Sequence, residues 1–150
     1  MFTNRTKKTF LTEEENEVIM TCIREHELRT SGEIRICIES RCSYMDPIER
    51  AKELFVELNM WKTPERNGVL IYIAYKDKDF ALLGDEAIFK EAHPGFWATE
   101  SKRLGYYFFH HHFVKGITTC VTNVGDELEK HFPRKGEKKN ELPDEIIFGK

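Results

Sequence analysis

The sequence feature that most constrains the fold is an uninterrupted apolar run at residues 69–74, rich in β-branched and aromatic side chains. Such a run is typical of a strand that is buried on both faces of a sheet. A short charged turn at residues 75–79 separates it from a second apolar run at 80–83. This short connection predicts an antiparallel hairpin, because a parallel return needs about a dozen residues or more. Asp85 then follows as the expected N-cap of a helix.

A βαβ unit is predicted from two strands and the helix between them. Isoleucines alternate with other residues over 34–38, which predicts a strand over 34–40 with one apolar face. Asp46 and Pro47 are a favourable start for a helix over 47–60, with Asp46 as its cap. The strands 34–40 and 68–75 are therefore expected to be parallel and joined by a right-handed crossover.

The remaining segments predict three further helices and two flanking regions. Thr12 and Glu15 have the spacing of a capping box, which predicts a helix that runs to about residue 29. Apolar residues at helical spacing predict helices over about 97–110 and 114–132. We expect a flexible arm at 1–10, one domain at 11–133 and a charged tail at 134–150, in which the apolar residues 146–148 dock onto the domain.

The expected fold class is therefore α/β: a small mixed β-sheet, with a βαβ unit plus a hairpin, flanked by α-helices on both faces. This arrangement is an α/β/α sandwich. The length of 150 residues fits a single domain with one core.

Composition excludes several classes of function. The net charge is −3, with both signs interspersed and no basic stripe, so we expect no nucleic-acid partner. No apolar run approaches the roughly 20 residues that a transmembrane segment requires. The N-terminal residues lack the apolar region of a secretory signal, which favours a cytoplasmic location. The four cysteines have no CxxC spacing, so free thiols are expected rather than a zinc site.

The predicted topology brings three loops to one edge of the sheet. Parallel strands start at the same edge, and the hairpin strand returns to it, so Glu33, Asn67, Asp85 and Glu86 are expected to converge there. Their side-chain oxygens suit Ca²⁺ or Mg²⁺ rather than zinc. The alternative is that Asp85 only caps a helix, Asn67 shapes a turn and Glu33 is a surface charge. A helix N-terminus at this edge would itself favour a phosphate.

Other candidate sites are weaker. Adjacent histidines on a helix point about 100° apart, so the run at 110–112 cannot face one ion. His111 together with His93 or His26 is the remaining histidine hypothesis. The sequence contains no GxSxG, P-loop or GxGxxG motif, so no catalytic residue is assigned.

The chain resembles the TPM domain family, found in a plant thylakoid lumen protein, a photosystem repair protein and bacterial homologues. The resemblance covers roughly residues 11–133, and its segments are TSGEIR at 30–35, Asp46-Pro47 with Arg50-Ala51, NGVLIY at 67–72, FALLGD at 80–85, and Gly116. It implies a central sheet flanked by helices. Family members are described as phosphatases, as divalent-cation binders and as domains that aid assembly or repair of membrane complexes. Many carry a signal or a transmembrane segment, whereas this sequence shows neither.

Three functional hypotheses follow. The first is a monomeric TPM module that binds a divalent cation, Ca²⁺ or Mg²⁺, and recognises a protein or a small ligand. The second is a metal-assisted phosphatase acting on phosphate monoesters, with Glu33 or Asp85 holding the metal and His93 acting as the acid. The third is an interaction scaffold without a site, which uses the aromatic C-terminal helices. Whether the protein is an enzyme stays open at this point.

Overall fold

The computed structural model describes residues 10–42, 45–136 and 146–149. The arm expected at 1–10 lies outside these ranges except for Phe10, whose ring stacks on Tyr75 and packs edge-on against Phe113. Most of the expected charged tail, at 137–145 and 150, also lies outside them. No helix in the described ranges has the length and apolarity needed to cross a membrane.

The described residues form five α-helices, one 3₁₀ turn and four strands. In chain order they are α1 (Glu13–Glu27), β1 (Glu33–Glu39), α2 (Pro47–Glu57), the 3₁₀ turn (Met60–Lys62), β2 (Gly68–Ala74), β3 (Asp79–Gly84), α3 (Glu86–Glu91), α4 (Phe96–Phe109), α5 (Phe113–His131) and β4 (Ile146–Phe148).

The four strands make one mixed sheet in the order β3-β2-β1-β4. β1 and β2 are parallel, and β2 and β3 are antiparallel, so the predicted βαβ unit and hairpin are confirmed. The apolar residues 146–148 dock as expected, because they form β4 beside β1 in parallel register. The sheet order thus places β1 and β2, whose residues are all buried, in the middle.

Helices cover both faces of this sheet, which confirms the predicted α/β fold. One face packs on α1, α3, α4 and α5 through a large apolar cluster that includes the three isoleucines of β1. The other face packs on α2 and the 3₁₀ turn through Ala51, Leu54, Phe55 and Met60. All seven residues of β1 are buried, so the face opposite the three isoleucines is covered as well. Its second face carries Cys37 and three charged residues, Glu33, Arg35 and Glu39, which the alternation pattern alone would place on an exposed face.

Of the three N-cap residues predicted from the sequence, two make the expected capping hydrogen bond. Thr12 and Glu15 exchange both hydrogen bonds of a capping box, and the Asp85 carboxylate accepts from the N–H of Glu86. Asp46 occupies the N-cap position of α2, but its side chain makes no capping hydrogen bond. The helix still begins there, because Pro47 fixes the first helical position without needing a donor partner.

Candidate functional site

The three loops that the sequence predicts to converge do meet at one edge of the sheet. The N–H of Asp85 donates to the carbonyl of Gly68 at 2.9 Å, and the N–H of Ala87 donates to the carbonyl of Arg66 at 3.1 Å. The side-chain amide of Asn67 donates to Ser31 Oγ at 3.0 Å. We call the residues Ser31, Glu33, Glu65, Arg66, Asn67, Asp85 and Glu86 the strand-start edge.

Asp85 is the most highly bonded side chain of the strand-start edge. Its carboxylate is buried and accepts hydrogen bonds from Arg66 Nε at 2.7 Å and Nη2 at 2.8 Å, in a bidentate pair. It also accepts from the N–H of Glu86 at 2.8 Å. The hydrogen bonds that Arg66 donates to Asp85 raise the pKa of the guanidinium above its ordinary value. Asp85 is therefore both a helix cap and the acidic partner of Arg66 in an ion pair that the sequence does not predict.

The backbone of Arg66 is held in an unusual conformation. Its φ of 53° lies in the left-handed region, which costs a non-glycine residue about 1 kcal/mol or more. Its N–H donates to the carbonyl of Thr63 at 3.1 Å, and its own carbonyl accepts from Ala87. These bonds fix the backbone so that the guanidinium faces Asp85. Only this tertiary geometry, which no local motif encodes, identifies Arg66 as a site residue.

Asn67 supplies a buried oxygen that has no hydrogen-bond donor among the described residues. Its backbone N–H donates to Thr63 Oγ1 at 3.1 Å, and its side-chain amino group donates to Ser31, which in turn donates to Glu65. Its side-chain oxygen, Oδ1, accepts no hydrogen bond from the described part of the chain. A buried oxygen of this kind is rare in folded proteins and indicates a place for a donor, a water molecule or a cation.

The two glutamates differ in exposure. Glu33 is buried at the start of β1, in register with Gly68, whereas Glu86 is exposed and lies 3.3 Å from Arg66 Nη1. All four predicted residues therefore lie at this edge. However, the described residues contain no group of three or more His, Cys, Asp or Glu side chains placed to hold a metal ion. Metal binding by these residues remains a prediction.

The alternative anion site at the start of α3 receives less support from the geometry. Two of the amides there are already bonded within the protein, Glu86 to its cap and Ala87 to Arg66. A phosphate would have to displace both partners to use these donors. The helix terminus therefore offers no ready-made anion cradle at these two amides.

The histidines that the sequence suggested as partners are dispersed. Asp85 caps the start of α3, whereas His93 follows its C-cap, so the six-residue helix separates them by roughly 9 Å along its axis. His110 packs on Tyr106, and the ring of His111 contacts Phe113. His26 lies buried against Gly125 of α5, where its Nδ1 is 2.9 Å from the carbonyl of Cys22. The structure thus does not bring His93 to the strand-start edge.

A second buried carboxylate lies at the opposite edge of the sheet, where β1 ends. Glu39 pairs with Arg50 through Nε at 3.1 Å and Nη2 at 2.7 Å, and it accepts from the Tyr72 hydroxyl at 2.8 Å. Burial raises the pKa of the Tyr72 phenol above its ordinary value, and the hydrogen bond with Glu39 raises it further. We call Glu39, Arg50 and Tyr72 the strand-end cluster.

The protein is an α/β sandwich: a four-stranded mixed sheet lies between layers of helices. Three of its loops meet where the parallel strands begin. The sequence matches the TPM domain family over residues 5–127, and the chain belongs to this family.

Two solved structures are similar to this chain. The NMR structure of the BA42 protein from the psychrophilic bacterium Bizionia argentinensis is 38% identical, with a TM-score of 0.85, and the match covers 93% of this chain and 96% of that one. The N-terminal domain of the cg2496 protein from Corynebacterium glutamicum is 8% identical, with a TM-score of 0.65 and coverage of 86% and 80%, respectively, so it supports the fold alone. No curated protein matches the sequence.

Proposed function

We propose that this TPM domain is a binding module that holds a divalent cation, Ca²⁺ or Mg²⁺, at the strand-start edge. The observation that carries the proposal is the buried Oδ1 of Asn67, which accepts no hydrogen bond from the described residues. It lies at an edge that also carries the carboxylates of Glu33, Glu65, Asp85 and Glu86. Carboxylate and amide oxygens are the ligands that both cations prefer.

The charge balance of the edge supports the same proposal. The exposed carboxylates of Glu65 and Glu86 add negative charge beside the ion pair of Asp85 with Arg66, whose guanidinium also lies near Glu86. A divalent cation would reduce this excess of negative charge. It would also compete with Arg66 for Asp85, because a carboxylate that forms a bidentate pair has few lone pairs left for a metal. Arg66 is thus expected to weaken cation binding.

The recognition part of this function has its own structural support. Tyr106 and Phe109 on α4 are strongly exposed. The centroid of the His110 ring lies 4.4 Å from the ring centroid of Tyr106 and 5.2 Å from that of Phe109. An exposed aromatic cluster of this kind is a common feature of protein-binding surfaces. If the protein binds no cation and acts only as an interaction scaffold, this aromatic cluster is the surface that supports that function.

Thermal melts of chelator-treated protein with and without added Ca²⁺ or Mg²⁺ test the proposal. A cation at a hundredfold excess over its Kd should stabilise the wild type by about 2.7 kcal/mol, which corresponds to a rise in Tm of several degrees. Asp85→Asn should abolish this rise. Arg66→Gln should start from a lower Tm but respond at lower cation concentration, because the competing guanidinium is gone.

Asp79→Asn is the matched control, since it makes the same change on an exposed residue at the start of β3, on the far edge of the sheet. Its response to cations should equal that of the wild type. If neither the wild type nor Arg66→Gln responds to millimolar cation, the cation site is refuted and the scaffold function remains. If Arg66→Gln loses a response that the wild type has, Arg66 supports the site rather than competing with it.

A metal-assisted phosphatase remains the alternative that the family resemblance implies. The separation of His93 from Asp85 argues against the acid that the sequence suggested. Hydrolysis of a generic phosphate monoester that depends on both added cation and Asp85 would establish this activity. Hydrolysis that survives Asp85→Asn would instead come from a contaminant.

A further inference from the structure

A cavity that the proposed function does not use lies between α4 and α5. Its volume is about 400 Å³, which is within the range of small-molecule sites. The first half of α4 and the last part of α5 form its walls. Its polar lining includes His93, Glu100, Arg103, Asn123, Asp126, Glu127 and Lys130.

The α4 wall of the cavity presents a carboxylate that is already satisfied. Glu100 is buried, and the side-chain amide of Asn123 donates to its two oxygens at 3.1 and 3.2 Å. Arg103, one turn further along the helix, donates to the same carboxylate. The charge of Glu100 is therefore neutralised within the protein, and this wall is fixed in position without a ligand.

The α5 wall presents a carboxylate that is only partly satisfied. The side chain of Glu127 is 10% exposed, and its Oε2 accepts from the N–H of His93 at 3.0 Å. His131 Nε2 lies 3.6 Å from the same oxygen, too far for a hydrogen bond. The other oxygen, Oε1, accepts no hydrogen bond from any described residue, and it is not among the buried polar atoms. A ligand in the cavity can therefore donate to this oxygen without displacing a protein partner.

Two unpaired charges flank Glu127 along α5. Asp126 and Lys130 are exposed at the cavity, and neither forms an ion pair with any described residue. Lys130 forms no ion pair with Glu127, although it is only three positions away along the helix. The cavity thus presents negative charge at Asp126 and Glu127 and positive charge at Lys130.

We propose that this cavity binds a small zwitterion of the α-amino-acid class. The ammonium group of the ligand donates to Glu127 Oε1 and faces Asp126, and its carboxylate faces Lys130. An ammonium provides both the positive charge and the N–H donors that a buried carboxylate requires, and such charge-assisted bonds are the strong ones. Because the cavity presents the ammonium of Lys130 beside its carboxylates, a ligand that carries both charges fits it better than a bare metal cation.

Titration of ¹⁵N-labelled protein with each standard L-amino acid, followed by NMR, tests the proposal. The backbone amide of His93 and the side-chain amide of Asn123 should shift, because both groups contact the cavity carboxylates. For the amino acid that binds best, the analogue without the ammonium group should not bind. The analogue without the carboxylate should bind more weakly. If no amino acid shifts these signals at millimolar concentration, the proposal is wrong.

Variants of α5 provide the second line of the test. Glu127→Gln keeps an acceptor for His93 but removes the charge, and it should weaken binding roughly tenfold or more. Lys130→Gln should weaken binding of the amino acid but not of its decarboxylated analogue. Glu129→Gln is the matched control, since Glu129 lies on the same helix and pairs with Arg29 at the surface. Equal binding by Glu127→Gln and Glu129→Gln would overturn the assignment.

The two sites are separable by the same variants. Glu127→Gln should keep the wild-type response to divalent cations, and Asp85→Asn should keep the wild-type affinity for the amino acid. If Glu127→Gln proves too unstable to study, Asp126→Asn on the exposed rim is expected to weaken binding as well. An amino-acid affinity unchanged by Asp126→Asn and by Lys130→Gln would refute the zwitterion mode.

Discussion

The strand-start edge and the strand-end cluster each contain a buried carboxylate paired with an arginine through two hydrogen bonds. They differ in what surrounds the pair. Glu39 also accepts from a buried tyrosine hydroxyl, and Gly149 packs against its side chain. Asp85 has only its own helix and Arg66, and the neighbouring Asn67 leaves one buried oxygen without a donor among the described residues.

The arginine of the strand-end cluster is also less exposed than that of the strand-start edge. The side chain of Arg50 is 26% exposed and also contacts two glutamates of its own helix, whereas that of Arg66 is 40% exposed. The strand-end cluster is thus closed and satisfied, which is typical of a structural network. The strand-start edge is more open, and the Asn67 Oδ1 atom there lacks a donor among the described residues. Two carboxylate–arginine pairs of similar geometry therefore lie in different surroundings.

The largest effect is expected at the strand-end cluster. Glu39→Ala leaves Arg50 and the Tyr72 hydroxyl without their partner in a buried setting, and it should lower the free energy of unfolding by about 3 to 5 kcal/mol. Urea denaturation measures this loss. Glu53→Ala, which removes an exposed partner of the same arginine, should cost less than about 1 kcal/mol. Equal losses in the two variants would show that the cluster is not the structural network described above.

A smaller loss is expected from Gly84→Ala, beside Asp85. A Cβ at this position would lie 2.5 Å from the ring of Trp97, so the ring must shift, and we expect a loss of about 1 to 3 kcal/mol. A shift in Trp97 fluorescence should accompany the loss. Gly105→Ala is the control, because its Cβ would meet Phe80 at 3.4 Å and the change favours the helix by up to about 1 kcal/mol.

Burial on the strand-end side should also affect how the stability of the protein depends on pH in alkaline solution. Burial, and next the nearby Glu39 carboxylate, raise the pKa of the Cys37 thiol from 9.0 to about 12. The unfolded chain therefore loses this proton first, so the stability from Cys37 is complete below about pH 9 and is lost as the pH rises towards 12. The loss should reach about 1.4 kcal/mol near pH 10.

Denaturation of the wild type and of Cys37→Ala as a function of pH measures this contribution. The alanine variant should start from a lower stability but lose less of it between neutral pH and about pH 10. Since all other ionisable groups are present in both proteins, the difference between the two curves isolates Cys37. Parallel curves would contradict the raised pKa.

The smallest effect is expected for the ion pair of the open edge in the absence of cations. Arg66→Gln should cost about 1 kcal/mol or less, because the guanidinium is well exposed and Asp85 keeps its bond from Glu86. Thermal melts in chelator measure the cost. Arg41→Gln, which removes an exposed partner of Asp77, should have an effect close to zero. If Arg66→Gln lowered the free energy of unfolding as much as Glu39→Ala does, the two carboxylate–arginine pairs would contribute equally to stability, which would contradict the comparison.

The sequence predicts the fold closely because the local signals agree with one another. The alternating isoleucines, Pro47 and the Thr12 capping box each correspond to an observed element. The βαβ rule then brings Glu33, Asn67, Asp85 and Glu86 to one edge without any tertiary information. These four residues are found there.

What the sequence does not predict is how the charges pair. Arg66 looks like an ordinary loop arginine, and its left-handed backbone becomes visible only in the folded chain. Glu39 looks like an exposed residue of an alternating strand, because nothing local indicates that α2 covers this face. The α4–α5 cavity is also invisible, since it depends on how two helices approach each other. Pairing across the fold is a tertiary property, and residue spacing does not encode it.

The short strand β4 has a consequence for self-association. It covers the outer side of β1, where Gly149 also donates to the carbonyl of Ile38 at 2.7 Å. Without it, the row of backbone donors and acceptors on the outer side of the seven-residue strand β1 would be open to strands of other molecules. The tendency of this protein to aggregate should therefore follow the detachment of residues 146–149 rather than global unfolding, and it should rise steeply with protein concentration.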